Sequence, residues 1–327
     1  MIRLGAVTCP SGRLVIADTG YLGLWSGDRE PVAGEAVLSR VSDAMRGSIR
    51  ASADLAAVGP DAGRAARSFD RQPGTWIYDV PGHAIEQTIA DFADHCAAHR
   101  LDARLTREPA RVSHRERVER CARDGGSFLM FGVPVAAIGG LPADQEFPVV
   151  GTARGDGWES VALAVREGET ASSTLLGHIG VDAARMSLID ADALASWRHD
   201  DPIDGLADVA FWGRDVRAAA KRFKAPPLAE EGVHGWTDLP VAEAVRRGSA
   251  IEEWKRDRGL MVDFRPHSHH WRVMAQVRAA ETASGTIEVG GSRTTCFMTG
   301  RGDGHFPVHA DRDRNGDLLR IRIHLGA

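Results

Sequence analysis

Apolar and polar residues alternate along this chain with two different periods. L318-L-R-I-R-I-H-L325 is apolar at every second position, as a half-buried strand is, and G259-L-M-V-D-F264, W271-R-V-M-A-Q-V277, G285-T-I-E-V289 and T294-T-C-F-M-T299 are short β-rich runs bounded by turn residues. These predict an antiparallel sheet. Residues 207–223 and 241–256 instead place apolar side chains three and four apart, the spacing of an amphipathic helix. Earlier in the chain the same reading predicts strands over 13–17, 128–132 and 160–165. It predicts helices over 35–46, over 84–99 and after S113-H-R-E116, which has the form of a capping box. The expected class is α+β, mainly antiparallel sheet with inserted amphipathic helices.

The pattern occurs twice. Laid without a gap, residues 5–25 and 177–197 match at Gly5/Gly177, Arg13/Arg185, Asp18/Asp190, Leu22/Leu194 and Trp25/Trp197, and the apolar positions correspond as well. A second pair of windows, opening on A143-D-Q-E-F-P-V149 and G302-D-G-H-F-P-V308, follows in the same order. A tandem duplication is expected, with one copy over 1–168, a second over 174–327, a polar joint between them, and a pseudo-twofold relation. Both glycines of the second phrase are missing from the first, so the N-terminal copy reads as the degenerate one.

Composition narrows the partners. A chain of 327 residues that is 43% hydrophobic can bury one large or two ordinary cores. Its net charge of −5 argues against a nucleic-acid surface, which is normally basic. No apolar run approaches the ~20 residues of a membrane span and no signal-peptide core is visible near Met1, so a cytoplasmic protein without a membrane partner is expected. Cys9, Cys96, Cys121 and Cys296 have neither zinc-ribbon spacing nor the density of a disulfide scaffold.

S11-G-R-L-V-I-A-D18, and above all G300-R-G-D-G-H-F-P-V-H309 followed by N315-G-D-L-L-R-I-R-I323, resemble a bacterial family known only as domain-of-unknown-function family 4241. The likeness is clearest over 177–327. Arg301 and Phe306 stand where that family has an aromatic residue and a tyrosine, and Thr19 and Ala191 where it has proline. The resemblance implies a fold and no reaction.

The residues shared by both copies nominate a ligand site at Arg13, Asp18, Arg185, Asp190 and Trp197, in a groove between the copies. Asp303 and His305, in the intact glycine-bearing phrase, are the catalytic candidates. Asp18 and Asp190 have a structural alternative, ending a strand and accepting turn amides. H267-S-H-H-W271 offers His267 and His269, which in a strand would point to one side and suit a divalent metal, with Asp303 completing the set. D311-R-D-R-N-G-D317 has calcium-loop oxygens, but Arg322 holds the position of the closing glutamate, and an Asn-Gly hairpin accounts for it. Serine-hydrolase, P-loop and dinucleotide-binding motifs are missing. The leading expectation is a small polar or anionic ligand bound without a resident cofactor, the chain acting as an enzyme or as a binder. The alternatives are a metalloenzyme, and a regulatory or immunity partner, homodimeric or bound to another protein, that uses Trp212, Trp236 and Trp254 on helices as anchors.

Overall fold

The computed structural model describes residues 1–32, 38, 42–69, 75–124, 126–155 and 157–326. The fold is α+β, and its contacts divide the chain into two compact units, Met1–Trp197 with Gln276–Ala327, and Arg198–Ala275. None of the described helices is long and apolar enough to cross a membrane.

The larger unit is built on two six-stranded antiparallel sheets. The first runs β1 (Ile2–Thr8), β8 (Glu146–Arg154), β9 (Gly157–Ala164), β18 (Leu318–His324), β17 (Gly304–Arg312), β10 (Ser172–Val181). The second runs β15 (Ser284–Val289), β16 (Ser292–Met298), β11 (Arg185–Asp190), β2 (Arg13–Asp18), β7 (Val133–Gly139), β6 (Gly126–Met130). Alternation decides the packing: β18 turns Leu319, Ile321 and Ile323 inward and leaves Arg320 and Arg322 outside. Leu14, Ile16, Met186 and Phe297 of the second sheet share one core with Phe147, Val161, Val308 and Ile321 of the first. Three strands from each sequence half join at the middle of each sheet, β9 against β18 and β2 against β11.

Two three-stranded sheets complete the fold. In the larger unit β4 (Trp76–Val80), β3 (Ala53–Val58) and β5 (Arg104–Arg107) pack with α2 (Ala62–Phe69) and α3 (Ile85–His99), while α1 (Asp43–Arg50) lies against the turn that leads into α3 and α4 (His114–Asp124) packs on β7 and β6. The smaller unit holds β13 (His234–Pro240), β12 (Leu206–Trp212) and β14 (Met261–Pro266) with α5 (Val216–Phe223) and α6 (Val241–Trp254). The chain leaves that unit within α7 (His269–Ala279). Apart from α1, the order of strands and α-helices over 2–164 recurs over 172–324.

Several expected elements are corrected. Residues 207–223 form a strand and then a helix, because Gly213 breaks the run at φ +122° after the buried centre strand β12. Residues 271–277 are helical: Ser268 Oγ accepts the Trp271 amide at 3.1 Å, and Val273 and Val277, four apart, are both buried. Trp212 ends β12 and Trp236 lies in β13, so only Trp254 sits on a helix. Of the helix expected over 35–46, residues 35–37 and 39–41 lie outside the described residues, and Asp43 onward is helical. The helices over 84–99 and after Ser113 form as expected, with Ser113 Oγ accepting the Glu116 amide at 3.2 Å. Asn315-Gly316 turns the β17–β18 hairpin, and Asp311 is engaged by Arg322 at 2.9 Å.

Candidate functional site

The residues shared by the two sequence windows meet where β2 pairs with β11. Asp18, fully buried, accepts the backbone N–H groups of Gly20 at 2.7 Å, Asp182 at 2.6 Å and Ala183 at 2.8 Å. Asp190, also buried, accepts the Ser11 N–H at 2.9 Å and hydroxyl at 2.7 Å, the Asp192 N–H at 2.9 Å and the Ala193 N–H at 3.1 Å. Each carboxylate therefore ties its own strand end to the loop that leads into the other strand. A carboxylate offers about four acceptor positions, and these are taken up almost entirely by the chain itself. Burial pushes the Asp18 carboxyl above its ordinary range, and the three amides offset this only in part, leaving it raised. Replacing Asp190 by alanine strands several part-buried donors at once. It should cost about 2–3 kcal/mol, read as a shifted midpoint in urea unfolding at constant slope; a shift near zero would remove this role.

The other candidates are distributed around this seam. Arg13 bonds Glu119 at 2.9 Å and Asp192 at 3.2 Å. Arg185 is half-buried near Asp18, and its buried Nε makes no hydrogen bond among the described residues. Trp197 is buried and closes a short 3-10 turn through its amide. Asp303, exposed, accepts the Ala184 N–H at 2.9 Å, on the loop that Asp18 holds; His305 is exposed on β17 opposite Gly180. Asp18, Arg185 and Asp303 thus gather about one loop, and Arg13 and Asp190 about the other.

A second set of paired residues escapes the gapless sequence comparison. Asp54 Oδ1 accepts the Asp79 amide at 2.8 Å, and Asp208 Oδ1 accepts the Asp238 amide at 2.9 Å. Asp79 and Asp238 both take the left-handed conformation, φ 57° and 54°, which aspartate tolerates better than most residues. Each lies two residues before a proline that precedes a helix, Pro81 or Pro240. His114 and His269, both buried, each begin a helix and accept a backbone amide at Nδ1, from Ser26 at 3.0 Å and Arg198 at 2.9 Å. The short phrases D-V-P and D-L-P, and the two S-H pairs, are the signal the sequence offers.

Around these aspartates the two sets part company. In the first, the fully buried Arg117 bonds both Asp54 oxygens at 3.1 and 3.2 Å and Asp79 at 2.9 and 3.0 Å, with its guanidinium 4.5 Å over Tyr78. Arg111 also grips Asp79. Burial would raise the Asp79 carboxyl, but the two guanidinium groups outweigh it and hold it below the ordinary carboxylate range. In the second set Arg272, the counterpart of Arg117 three residues into its helix, turns to Asp204 at 2.6 Å with its side chain 47% exposed. Asp208 and Asp238 are left facing His267. Its Nε2 lies 2.9 Å from Asp208 and 4.0 Å from Asp238, its Nδ1 3.1 Å from Asp204. Partial burial lowers the His267 pKa, and the Asp208 and Asp204 carboxylates reverse that, leaving it raised.

One ligand atom each from Asp208, Asp238 and His267 falls within 4.8 Å of the others, close enough to hold one metal ion. Two carboxylates and an imidazole suit a hard-to-borderline divalent ion such as manganese, iron or zinc. The expected pair is corrected: His267 belongs to this trio, but His269 does not point with it, because residue 269 opens a helix and its ring caps the Arg198 amide. Asp303 serves the Ala184 amide instead.

Compared with protein families, curated proteins and solved structures, the chain matches none. What it can do is read from these residues alone.

Proposed function

We propose that the chain is a tandem duplication in which one copy keeps a closed ion lock and the other an exchangeable cation site. On this reading the protein holds a divalent cation at Asp208, Asp238 and His267 and binds a small polar or anionic ligand there. One observation carries it: two equivalent aspartates are sealed by the buried Arg117 in the first copy, whereas in the second they face a single imidazole at metal-binding separation. Three protein ligands leave coordination positions for water or for an anionic group of a ligand. The ligand chemistry is placed here rather than at Asp18 and Asp190 because backbone donors already occupy those carboxylates.

Metal analysis of tag-free protein, with calorimetric titration of manganese and zinc into the metal-stripped chain, tests the reading. A near-stoichiometric site is expected, weakened in Asp208→Asn and in His267→Ala by at least the roughly 100-fold that even outer-shell partners can cost. A metal-free protein that takes up neither ion, or variants that bind as well as the parent, would overturn it.

A further inference from the structure

Arg13 and Arg185 hold matching positions in the two sequence halves, and their surroundings differ by two acids. Arg13 gives its terminal nitrogens to Glu119 at 2.9 Å and to Asp192 at 3.2 Å. Arg185, half-buried at the start of β11, makes no hydrogen bond and no ion pair among the described residues. Both Nε atoms are buried without an acceptor, so the difference lies at the terminal nitrogens. A guanidinium is always charged and carries five donors, and drawing it partly out of water with no acceptor is unfavourable.

The acids are missing position by position. With residues 5–25 laid over 177–197, Asp192 falls on Gly20. The backbone holds the two alike: Asp190 accepts the Asp192 amide at 2.9 Å, and Asp18 accepts the Gly20 amide at 2.7 Å. A Cβ built on Gly20 would stand 3.8 Å from Arg185 Nη2, so a carboxylate above Gly20 reaches this guanidinium as Asp192 reaches that of Arg13. Glu119 stands five residues after His114, and five residues after the matching His269 the sequence has Met274, which carries no charge. The remaining acids near Arg185 are engaged elsewhere. Asp18 accepts three backbone amides, Asp182 accepts the Tyr21 hydroxyl at 3.1 Å, and Asp303 accepts the Ala184 amide.

We infer that Arg185 binds the carboxylate of a small ligand, seated over Gly20 in the place that the Asp192 side chain fills beside Arg13. One half of the chain supplies this group itself, and the other takes it from outside. The matching acid fixes the chemistry of the ligand group, since the guanidinium offers paired N–H donors that fit the two oxygens of a carboxylate. The inference stands apart from the cation site, whose residues belong to the smaller unit, whereas Arg185 and Gly20 belong to the larger.

Nuclear magnetic resonance of the full chain decides it, through the Nε–H signal of Arg185 assigned by its loss in Arg185→Gln. Sodium acetate replacing chloride at constant ionic strength should move that signal to saturation with a Kd on the order of 10 mM, while the Arg13 signal stays in place. Gly20→Asp, which supplies the carboxylate from within, should carry the Arg185 signal already displaced towards the acetate-bound position and insensitive to acetate. An Arg185 signal unmoved by about 100 mM acetate overturns the inference whatever the variant does, as does a Gly20→Asp protein that responds like the parent. Inorganic phosphate that moves the signal at lower concentration than acetate overturns the choice of a carboxylate.

Discussion

Replacing Arg117 by methionine should cost about 3–5 kcal/mol of stability. The side chain has no solvent exposure, and it neutralises two carboxylates that are themselves buried, Asp54 at 1% exposure and Asp79 with its side chain at 5%. Methionine keeps much of the volume and the contact over Tyr78 but removes the charge, leaving Asp54 unpaired and Asp79 with Arg111 alone. Unpaired buried charge, more than the loss of attraction, makes such a change expensive. Denaturant unfolding at neutral pH measures it, and the triple variant Arg117→Met, Asp54→Asn, Asp79→Asn should recover a large part of the loss, since neutral amides need no counter-charge. The matched substitution Arg272→Met provides the contrast: its guanidinium is half exposed, so under about 1 kcal/mol is expected. Equal losses at the two positions would mean that the two sets of aspartates are not differently compensated.

The second large effect is on the acid side. His114 is fully buried, and burial, followed by the nearby Arg117 guanidinium, pushes its pKa down to about 3. The ring is neutral in the fold with Nδ1 as an acceptor, while in the unfolded chain it protonates near 6.5. Between these values the unfolded state holds the extra proton, so stability rises with pH there and is lost as pH falls from 6.5 towards 3. The loss amounts to roughly 1.4 kcal/mol per pH unit, on the order of 4 kcal/mol in all. An asparagine in place of this histidine can still accept the Ser26 amide through its side-chain oxygen and has no proton to gain. The stability advantage of the parent over His114→Asn should therefore shrink by about 3 kcal/mol between pH 6.5 and 4 in urea unfolding. Parallel curves for the two proteins would show that His114 is not held neutral.

Much of this fold can be read from local pattern. Period-two runs such as Leu318–Leu325 locate strands because one face of each meets the core, and the gapless windows at Gly5 and Gly177 align the strands that lead each half. Arg13, Asp18, Arg185 and Asp190 stand out because they recur, and they do come together, at a seam where the two aspartates serve backbone amides. Residues 271–277 read as strand because valine, tryptophan and methionine crowd it; the decisive helix signal is one serine oxygen at 268. The aspartate pairs are harder. Asp54 meets Asp79, and Asp208 meets Asp238, across loops of unequal length, so a gapless comparison slides out of register before reaching them. That Arg117 turns inward while Arg272 turns outward depends on three-dimensional neighbours that no spacing encodes.

The meeting of β2 with β11 and of β9 with β18 also governs how the chain is born. Both six-stranded sheets close through strands that lie more than 150 residues apart, so their centres cannot form until the C-terminal half exists. At roughly 5–20 residues per second, β9 waits on the order of ten to thirty seconds for β18 to be synthesised. For that interval β9 (Gly157–Ala164) is paired on one side with β8 and leaves its other edge open, whereas β11 follows it within about 20 residues and can close the free edge of β2 (Arg13–Asp18) much sooner. The joint between β9 and β18 at the centre of the mature sheet is thus an open strand edge on the ribosome, of the kind that a chaperone or another nascent copy can pair with.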